Sequence, residues 1–279
     1  MLRVPTRVSE LPRFLWQAAQ RTAIIRRKVA RRPTFRLCYF SCQSYFRYLY
    51  CALHSLTLVA RDIRFEVIVF SDIDQPLSTE QIVALGELIP GIRVIPWPKS
   101  MGWGATQIGW IWKAYALAAE GAADDDVIAR VDSDVYFFND RIFRAVERSS
   151  ADLIGDGHFV GFKYCQGGCY FFRARAIREV VTFLSQRSLP DELDAAGINV
   201  EDIAADHFAK AIGQRIWMTW FMMFPDELRN AGGLNRWQRW KFSCLHFVMK
   251  NKAAMIESYQ QEMLDRDGRE RFLKALEVE

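Results

Sequence analysis

The segment ARVDSDVYFFND, Ala129 to Asp140, places two carboxylates at the end of a run of strand-forming residues. Mostly apolar residues stand on both sides of the pair, VIARV before it and VYFF after it. Nearly continuous apolar runs are typical of strands in a parallel sheet that helices cover on both faces. We therefore expect Asp132 and Asp134 at the carboxyl end of a buried strand, which is the edge where open α/β sheets bind their ligands.

Strand-like and helical runs alternate upstream of this segment. The predicted elements, in chain order, are strands at 35–41, 65–72, 92–98 and 127–132, with helices between them at 48–60, 74–89 (N-cap Ser78 or Thr79) and 108–119. The order β-α-β-α-β-α-β predicts an α/β domain with a doubly wound, mainly parallel sheet flanked by helices. No Gly-x-Gly-x-x-Gly or Walker motif follows the first strand, so a dinucleotide-binding domain or a P-loop enzyme is disfavoured.

The pattern changes after Asp140 and predicts a second, mixed region. Its predicted elements are strands at 158–165, 169–174 and 216–223, and helices at 178–186, 200–213 and 258–278. No internal repeat or low-complexity linker interrupts the chain, so 34–279 is predicted to form a single domain.

Charge is unevenly distributed along the chain. Residues 1–33 contain nine Lys or Arg and the single Glu10, a net of +8, so the rest of the chain carries −4 of the total of +4. The segment 1–33 has two interpretations, a basic and partly amphipathic segment on an anionic membrane surface or a solvated leader. Nucleic acid is not an expected partner, because the main domain is slightly acidic. Without a spanning apolar run or a secretory signal, the expected location is the cytoplasm, including the inner face of a membrane.

The acidic pair also has two interpretations. Carboxylates at i and i+2 of an extended chain point the same way, so Asp132 and Asp134 can face one ion. Hard oxygen ligands suit Mg²⁺ or Mn²⁺, which proteins commonly share with a substrate diphosphate. Alternatively, the two residues cap the turn that follows the strand. Asp-x-Asp alone does not separate these interpretations.

The chain resembles the GT-A glycosyltransferases, which use nucleotide-diphospho-sugars, from about residue 35 to 252. The segments that carry the resemblance occur in family order and are SCQSYFRYLYCALHSL (41–56), VIARVDSDVYF (127–137), YCQGGCYFFRARAIREV (164–180), NVEDIAADHFAKAIG (199–213) and KFSCLHFVMKNK (241–252). In the same order, these five segments resemble the family's nucleotide-contacting strand-to-helix segment, its metal-binding Asp-x-Asp strand, its glycine-bearing acceptor-side strand, its acidic segment and its late His segment. The middle three are spaced most like those of fringe-like and β-1,3-glycosyltransferases.

The resemblance implies a site for Mn²⁺ or Mg²⁺ made of Asp132, Asp134 and His246, with Asp132 also facing the nucleotide-diphospho-sugar. In inverting members of the family, the acidic segment supplies the base that deprotonates the acceptor hydroxyl. Asp202 is the first choice for that base, with Glu201 and Asp206 behind it. In a retaining, glycogenin-like enzyme, Asp206 would instead bind donor-sugar hydroxyls, and the sequence leaves both mechanisms open.

Further donor contacts are expected from residues that follow the predicted strands or lie near the late His segment. Tyr45 and Asp72 follow the first two strands and are expected at the base or ribose. Lys113, on the helix before the Asp-x-Asp strand, is expected at the donor phosphate or sugar. By resemblance, Lys250 or Lys252 is expected at the diphosphate.

The predicted function is metal-dependent transfer of a sugar from a nucleotide-diphospho-sugar, with a UDP-sugar favoured, to a glycan or glycolipid acceptor. In this interpretation 34–140 is the nucleotide-binding half, 141–252 the acceptor half and 253–279 a C-terminal helix. Trp237 and Trp240 are the expected acceptor-side aromatic residues, since aromatic faces stack on sugar rings. A sugar nucleotidyltransferase and a non-catalytic nucleotide- or carbohydrate-binding protein are the open alternatives.

Overall fold

The structure is a computed structural model, and it describes residues 31–100, 104–225 and 234–277. Nearly all of the basic segment 1–33 lies outside the described residues. Its contact with a membrane surface therefore stays a prediction. In the part of the chain that the structure describes, no helix is long and apolar enough to cross a membrane.

The first part of the described chain alternates strands and helices as its sequence predicts. The elements are β1 (Phe35–Ser41), α1 (Phe46–Val59), β2 (Phe65–Ser71), α2 (Thr79–Leu88), β3 (Arg93–Pro96) and α3 (Ala105–Ala119). The three strands pair in parallel, with Phe35 of β1 opposite Phe65 of β2. Ser78 is the N-cap of α2, where its hydroxyl accepts a hydrogen bond from the Gln81 N–H at 3.2 Å in a capping box.

The later elements are shorter and include more helices. They are β4 (Val127–Val131), β5 (Val135–Phe137), α4 (Arg141–Arg148), β6 (Leu153–Asp156), β7 (Cys169–Arg173), α5 (Ala174–Ser185), α6 (Leu189–Ala196), α7 (Glu201–Ala211), β8 (Ile216–Thr219), β9 (Met222–Met223), α8 (Arg236–Lys241), β10 (Cys244–His246), a 3₁₀ turn (Met249–Ala254), α9 (Met255–Met263) and α10 (Arg266–Ala275).

Seven strands form one sheet in the order β3-β2-β1-β4-β7-β6-β8, and three form a small sheet in the order β5-β10-β9. In the large sheet β6 runs antiparallel to β7 and parallel to β8. The predicted α/β class, with a mixed and mainly parallel sheet flanked by helices, is confirmed.

The strand predicted at 158–165 is wrong, because the chain forms a loop there. Gly161 and Phe162 have φ values of 68° and 61°, in the left-handed region, which an extended strand does not use. The N–H of Phe162 donates to the carbonyl of Gly157 at 2.5 Å and closes the turn. The sheet uses β6 instead, just upstream of the loop.

Two other predicted elements are each interrupted near their middle in the structure, so predicting them as single elements was wrong. The run 216–223 forms the separate strands β8 and β9, and between them the N–H of Phe221 donates to the buried carboxylate of Asp156 at 2.7 Å. The helix predicted over 258–278 is two helices, α9 and α10. Asp265 separates them as the N-cap of α10, where its carboxylate accepts from the N–H of Gly268 at 2.7 Å.

The chain divides into two compact units, each made of segments that are distant in sequence. Of the described residues, the first unit comprises 34–100, 129–140, 222–225 and 234–277, and the second comprises 31–33, 104–128 and 141–221. The assignment of 34–140 to the nucleotide, 141–252 to the acceptor and 253–279 to a terminal helix stays a prediction about function.

Each unit has an apolar core of its own. In the first unit, helix α1 packs on β5, and Phe35 and Leu53 are fully buried. In the second unit, Trp112 of α3 meets Tyr115, Phe172 and Phe208 edge-on, with ring centroids 5.6, 5.7 and 5.9 Å away. Burial of such large rings is the main favourable contribution to folding in each unit.

Gly155 in β6 has no room for a side chain. An added Cβ there would overlap the Cβ of Cys165 and lie 2.6 Å from its Sγ. We expect Gly155→Ala to lower the free energy of unfolding by about 2–3 kcal/mol, because the crowded strand must shift. Chemical denaturation measures this change. The matched control is Gly86→Ala in α2, whose added Cβ meets no atom within 4 Å and should raise stability by about 1 kcal/mol. Equal effects of both changes would contradict the prediction.

Candidate functional site

A turn between β4 and β5 and the end of β10 form a cluster of possible metal ligands in the first unit. Asp132 follows β4, Asp134 precedes β5, and His246 ends β10. One ligand atom from each of these residues lies within 4.8 Å of the others. The Nε2 atom of His246 is 3.3 Å from Oδ1 of Asp134 and 3.8 Å from Oδ2 of Asp132. The predicted metal trio is therefore brought together, and two carboxylates with one imidazole suit a divalent ion such as Mn²⁺.

The two carboxylates converge by a different route from the one that their spacing suggested. The chain at Asp132–Asp134 is a turn, not an extended strand, and the N–H of Val135 donates to the carbonyl of Asp132 at 3.1 Å. β10 pairs with β5 in antiparallel register, so His246 lies opposite Val135. A further bond from the Phe247 N–H to the carbonyl of Asp134, 2.9 Å long, joins the turn to the end of β10.

The charges of the two carboxylates are unequally stabilised. Burial raises the pKa of Asp132, and the nearby Asp134 raises it further, although the Arg130 guanidinium lies 3.0 Å away and lowers it. Burial also opposes the charge of Asp134, but hydrogen bonds from His246 and Lys252 and electrostatic attraction to them outweigh it and lower the pKa of Asp134. A divalent cation between the carboxylates would stabilise both in their charged form.

Two of the predicted donor-binding residues meet next to this cluster. The Nζ atom of Lys252 lies 3.0 Å from Oδ2 of Asp134 and donates to the hydroxyl of Tyr45 at 2.8 Å. It also lies 4.5 Å from the centroid of the Tyr45 ring. Asp134 and Tyr45 outweigh the effect of burial and raise the pKa of Lys252, so the ammonium is charged at neutral pH. Lys252 thus links the acidic pair to the segment that follows β1.

The other predicted donor contacts have different surroundings. Asp72 is buried and orders the loop after β2, where one of its oxygens accepts from the Asp74 N–H at 2.8 Å and the other from Ser100 at 3.3 Å. Lys113 is exposed on α3 in the second unit, with Nζ 4.0 Å from the Trp110 ring centroid. The side chain of Lys250 lies outside the described part of the structure. Their roles toward a donor stay predictions.

The three acidic residues proposed as base candidates all lie on α7 in the second unit, and all are buried. Glu201 accepts a hydrogen bond from the Tyr115 hydroxyl at 2.9 Å. Asp206 pairs with Lys210 one turn along the helix, and burial raises the pKa of its carboxyl group. Asp202 accepts from the N–H of Gly167 at 2.9 Å and from its neighbour Ile203 at 2.8 Å.

Several contacts of the candidate site residues were not identified from the sequence alone. The hydroxyls of Tyr115 and Tyr170 lie 2.6 Å apart, so Glu201 ends a buried chain of polar groups. Gly167 lies in the glycine-bearing segment 164–180, and an added Cβ there would lie 3.0 Å from Oδ2 of Asp202. Arg130 was also missed, although its position two residues before Asp132 in the strand was a usable signal.

The chain matches no protein-family model and no curated protein sequence. It does match solved structures of glycosyltransferases. For the galactosyltransferase LgtC in complex with donor and acceptor sugar analogues, the TM-score is 0.50 and the identity 13%, over 85% of this chain and 99% of that one. The chain has the GT-A fold. For an active-site mutant of LgtC, the TM-score is 0.51 and the identity 14%, over 86% of this chain and 95% of that one. For the bifunctional glycosyltransferase WbbM, the TM-score is 0.53 and the identity 10%, over 88% of this chain and 52% of that one. At such identities the likeness establishes the fold, and the chemistry must be argued from the site.

Lys252 is expected to stabilise the acidic pair when no metal is added. Replacing it in Lys252→Met leaves the buried Asp134 without the cation at 3.0 Å. We expect a loss of about 1–2 kcal/mol in the free energy of unfolding in chelator-containing buffer, since Lys252 is partly exposed. Added Mn²⁺ should restore more stability to this variant than it gives the unchanged protein.

The matched control for this measurement is Lys274→Met, an exposed lysine on α10, which should change stability by less than about 0.5 kcal/mol. Chemical denaturation with and without Mn²⁺ distinguishes the two positions. Equal, small losses at both positions would show that Lys252 does not support the carboxylates.

Proposed function

We propose that the protein is a metal-dependent glycosyltransferase that moves a sugar from a nucleotide-diphospho-sugar to a glycan or glycolipid acceptor. The observation that carries the proposal is the convergence of Asp132, Asp134 and His246 in a chain with the GT-A fold. A UDP-sugar is the favoured donor and the cytoplasm the favoured location, both from the family resemblance and sequence described above.

The donor atoms of the cluster fit Mn²⁺ better than Mg²⁺. Two carboxylates and one imidazole nitrogen are available, and Mg²⁺ prefers oxygen ligands and retains several waters. Asp134 and His246 have side chains only 6% and 4% exposed, so they are held in place, while the side chain of Asp132 is 31% exposed. When bound there, the ion would neutralise charge that develops on the departing diphosphate.

Lys252 and Tyr45 are proposed to bind the nucleotide part of the donor. The charged ammonium of Lys252 is suited to a phosphate oxygen, and it already lies beside the carboxylate that would hold the metal. Tyr45 presents a ring and a hydroxyl at the start of α1, directly after β1. Ligands of open α/β sheets bind at this edge, at the carboxyl ends of the strands.

Asp202 is proposed as the base of an inverting transfer. Glu201 is engaged by Tyr115, and Asp206 by Lys210, which favours structural roles for these two. The backbone N–H groups of Gly167 and Ile203 donate to the Asp202 carboxylate and orient it. A carboxylate oriented in this way can accept the proton of the acceptor hydroxyl as it attacks the sugar.

The metal and donor site is tested by titrating UDP, GDP, CMP and ADP, each with and without Mn²⁺, by calorimetry and thermal shift. We expect one diphosphate nucleotide to bind tightly, and to do so only with the metal. Asp134→Asn should weaken this binding by about 100-fold. Loss of a residue that only supports a metal ligand weakens metal binding by about 10- to 100-fold, and loss of the ligand itself should cost at least as much. Asp267→Asn, an exposed aspartate on α10, is the matched control and should bind normally. Binding that is independent of Mn²⁺ and of Asp134 would refute the proposal.

The base is tested by comparing Asp202→Asn with the isosteric control Glu201→Gln, using the nucleotide-sugar that the titration identifies. Asp202→Asn should lower kcat by about 10²- to 10⁴-fold and leave donor binding unchanged, since it removes a proton acceptor without changing shape. Glu201→Gln should have a small effect, because a glutamine oxygen still accepts from Tyr115. The anomeric configuration of the product, read by NMR, should be inverted. A retained configuration would rule out Asp202 as the base and favour Asp206 as a donor-sugar ligand.

A further inference from the structure

Helix α8 in the first unit holds two tryptophans in contact with water. The side chains of Trp237 and Trp240 are 47% and 48% exposed. Of the tryptophans that the structure describes, these two alone are exposed. Three residues apart on one helix, they share a face. Arg236 and Lys241 lie on the same face, one turn from Trp240 and Trp237 respectively. We call these four residues the α8 patch.

The orientation of the α8 patch is fixed by bonds on the opposite side of the helix. Asn235 caps the helix in a capping box with Gln238. Arg239 pairs with Glu262 of α9, and the same carboxylate accepts from the N–H of Leu234 at 2.8 Å. The exposure of the two indoles is therefore a property of a fixed helix, which turns its polar contacts inward.

Two bonds from Asn139 hold the end of the helix. Its side-chain amide donates to the carbonyl of Arg239 at 3.1 Å and to that of Phe242 at 2.7 Å. Carbonyls at a helix C-terminus otherwise need water or another donor. Asn139 thus supplies this donor from within the unit and helps to fix the orientation of α8.

The stretch of sequence that contains the α8 patch carries charge of one sign. The stretch from Leu234 to Ile256 contains five Lys or Arg and no Asp or Glu. Within α8, Arg239 pairs with Glu262, Arg236 is exposed, and Nζ of Lys241 lies 4.9 Å from the Trp237 ring centroid. The patch thus combines two indoles with two cations, which is a surface complementary to an apolar layer that carries negative charge.

We propose that the α8 patch binds an anionic lipid surface. Indole rings favour the boundary between the headgroups and the acyl chains, where the ring is apolar on its faces and polar at its N–H. Lysine and arginine next to them are attracted to anionic headgroups. A lipid surface suits the outer face of a helix better than a sugar acceptor does, since small-molecule sites are concave and place several polar groups around the ligand.

This proposal goes beyond the proposed activity and does not depend on it. It also places lipid contact on a folded helix, separate from the basic segment 1–33. The acceptor-side role predicted for Trp237 and Trp240 becomes the competing outcome of the test.

The full-length protein is tested for co-sedimentation with vesicles of phosphatidylcholine alone and of phosphatidylcholine mixed with phosphatidylglycerol. We expect binding to the anionic vesicles, and we expect Trp237→Ser/Trp240→Ser to weaken it about tenfold or more. The difference should persist at high salt, because the indole contribution is not screened, whereas binding through 1–33 is. Arg236→Gln/Lys241→Gln should weaken binding at low salt and have little effect at high salt.

The control is Phe159→Ser, which removes an aromatic side chain that is 63% exposed in the second unit and should bind vesicles as the unchanged protein does. Vesicles with brominated acyl chains should quench tryptophan fluorescence less in the double-serine variant. Unchanged thermal unfolding of each variant shows that the fold is kept. Equal vesicle binding by the double-serine variant, or no binding by the unchanged protein, would overturn the proposal. Lost binding of an acceptor sugar with unchanged vesicle binding would also overturn it.

Discussion

The pairing of β10 with β5 is the contact on which the candidate metal centre depends. It joins residues 135–137 to residues 244–246, more than a hundred positions apart, and sets His246 opposite Val135. Because Asp134 directly precedes Val135, this register alone determines that an imidazole faces the acidic turn. A shift of one residue would turn His246 to the other face of the small sheet. The donor set for a metal is thus a consequence of strand register rather than of the Asp-x-Asp motif by itself.

Local signals predicted much of the fold. The apolar runs of β1, β2 and β4 and the Ser78 capping box are properties of short segments, so periodicity and end-capping rules could find them. The failures are at positions where a single residue overrides the pattern. Phe162 adopts a left-handed conformation that few non-glycine residues use, and Asp265 starts a new helix inside a continuous helical pattern. Neither choice is visible in hydrophobic periodicity.

In the candidate site, too, some residues could be predicted from local sequence and others could not. Asp132 and Asp134 were found because their position after an apolar strand is a local feature. The roles of the acids on α7 depend instead on Tyr115, which lies far upstream and donates to Glu201 from another helix. Lys252 donates to Tyr45, which lies 207 positions away in the sequence. Contacts of this kind arise from tertiary packing, and a single sequence carries no pattern that marks them in advance.

The acids on α7 and the acids in the turn after β4 have different surroundings, and the difference indicates which of them have structural roles. On α7, Glu201 and Asp206 are engaged by Tyr115 and Lys210 within their own unit, so packing and hydrogen bonding account for them. The turn after β4 differs, since burial and a neighbouring carboxylate raise the pKa of Asp132 even with Arg130 beside it. Ionisation of Asp132 is therefore disfavoured in the fold, and natural sequences keep such conflicts mainly at functional sites. A bound cation would remove the conflict, which supports the proposal that the turn after β4 holds the metal.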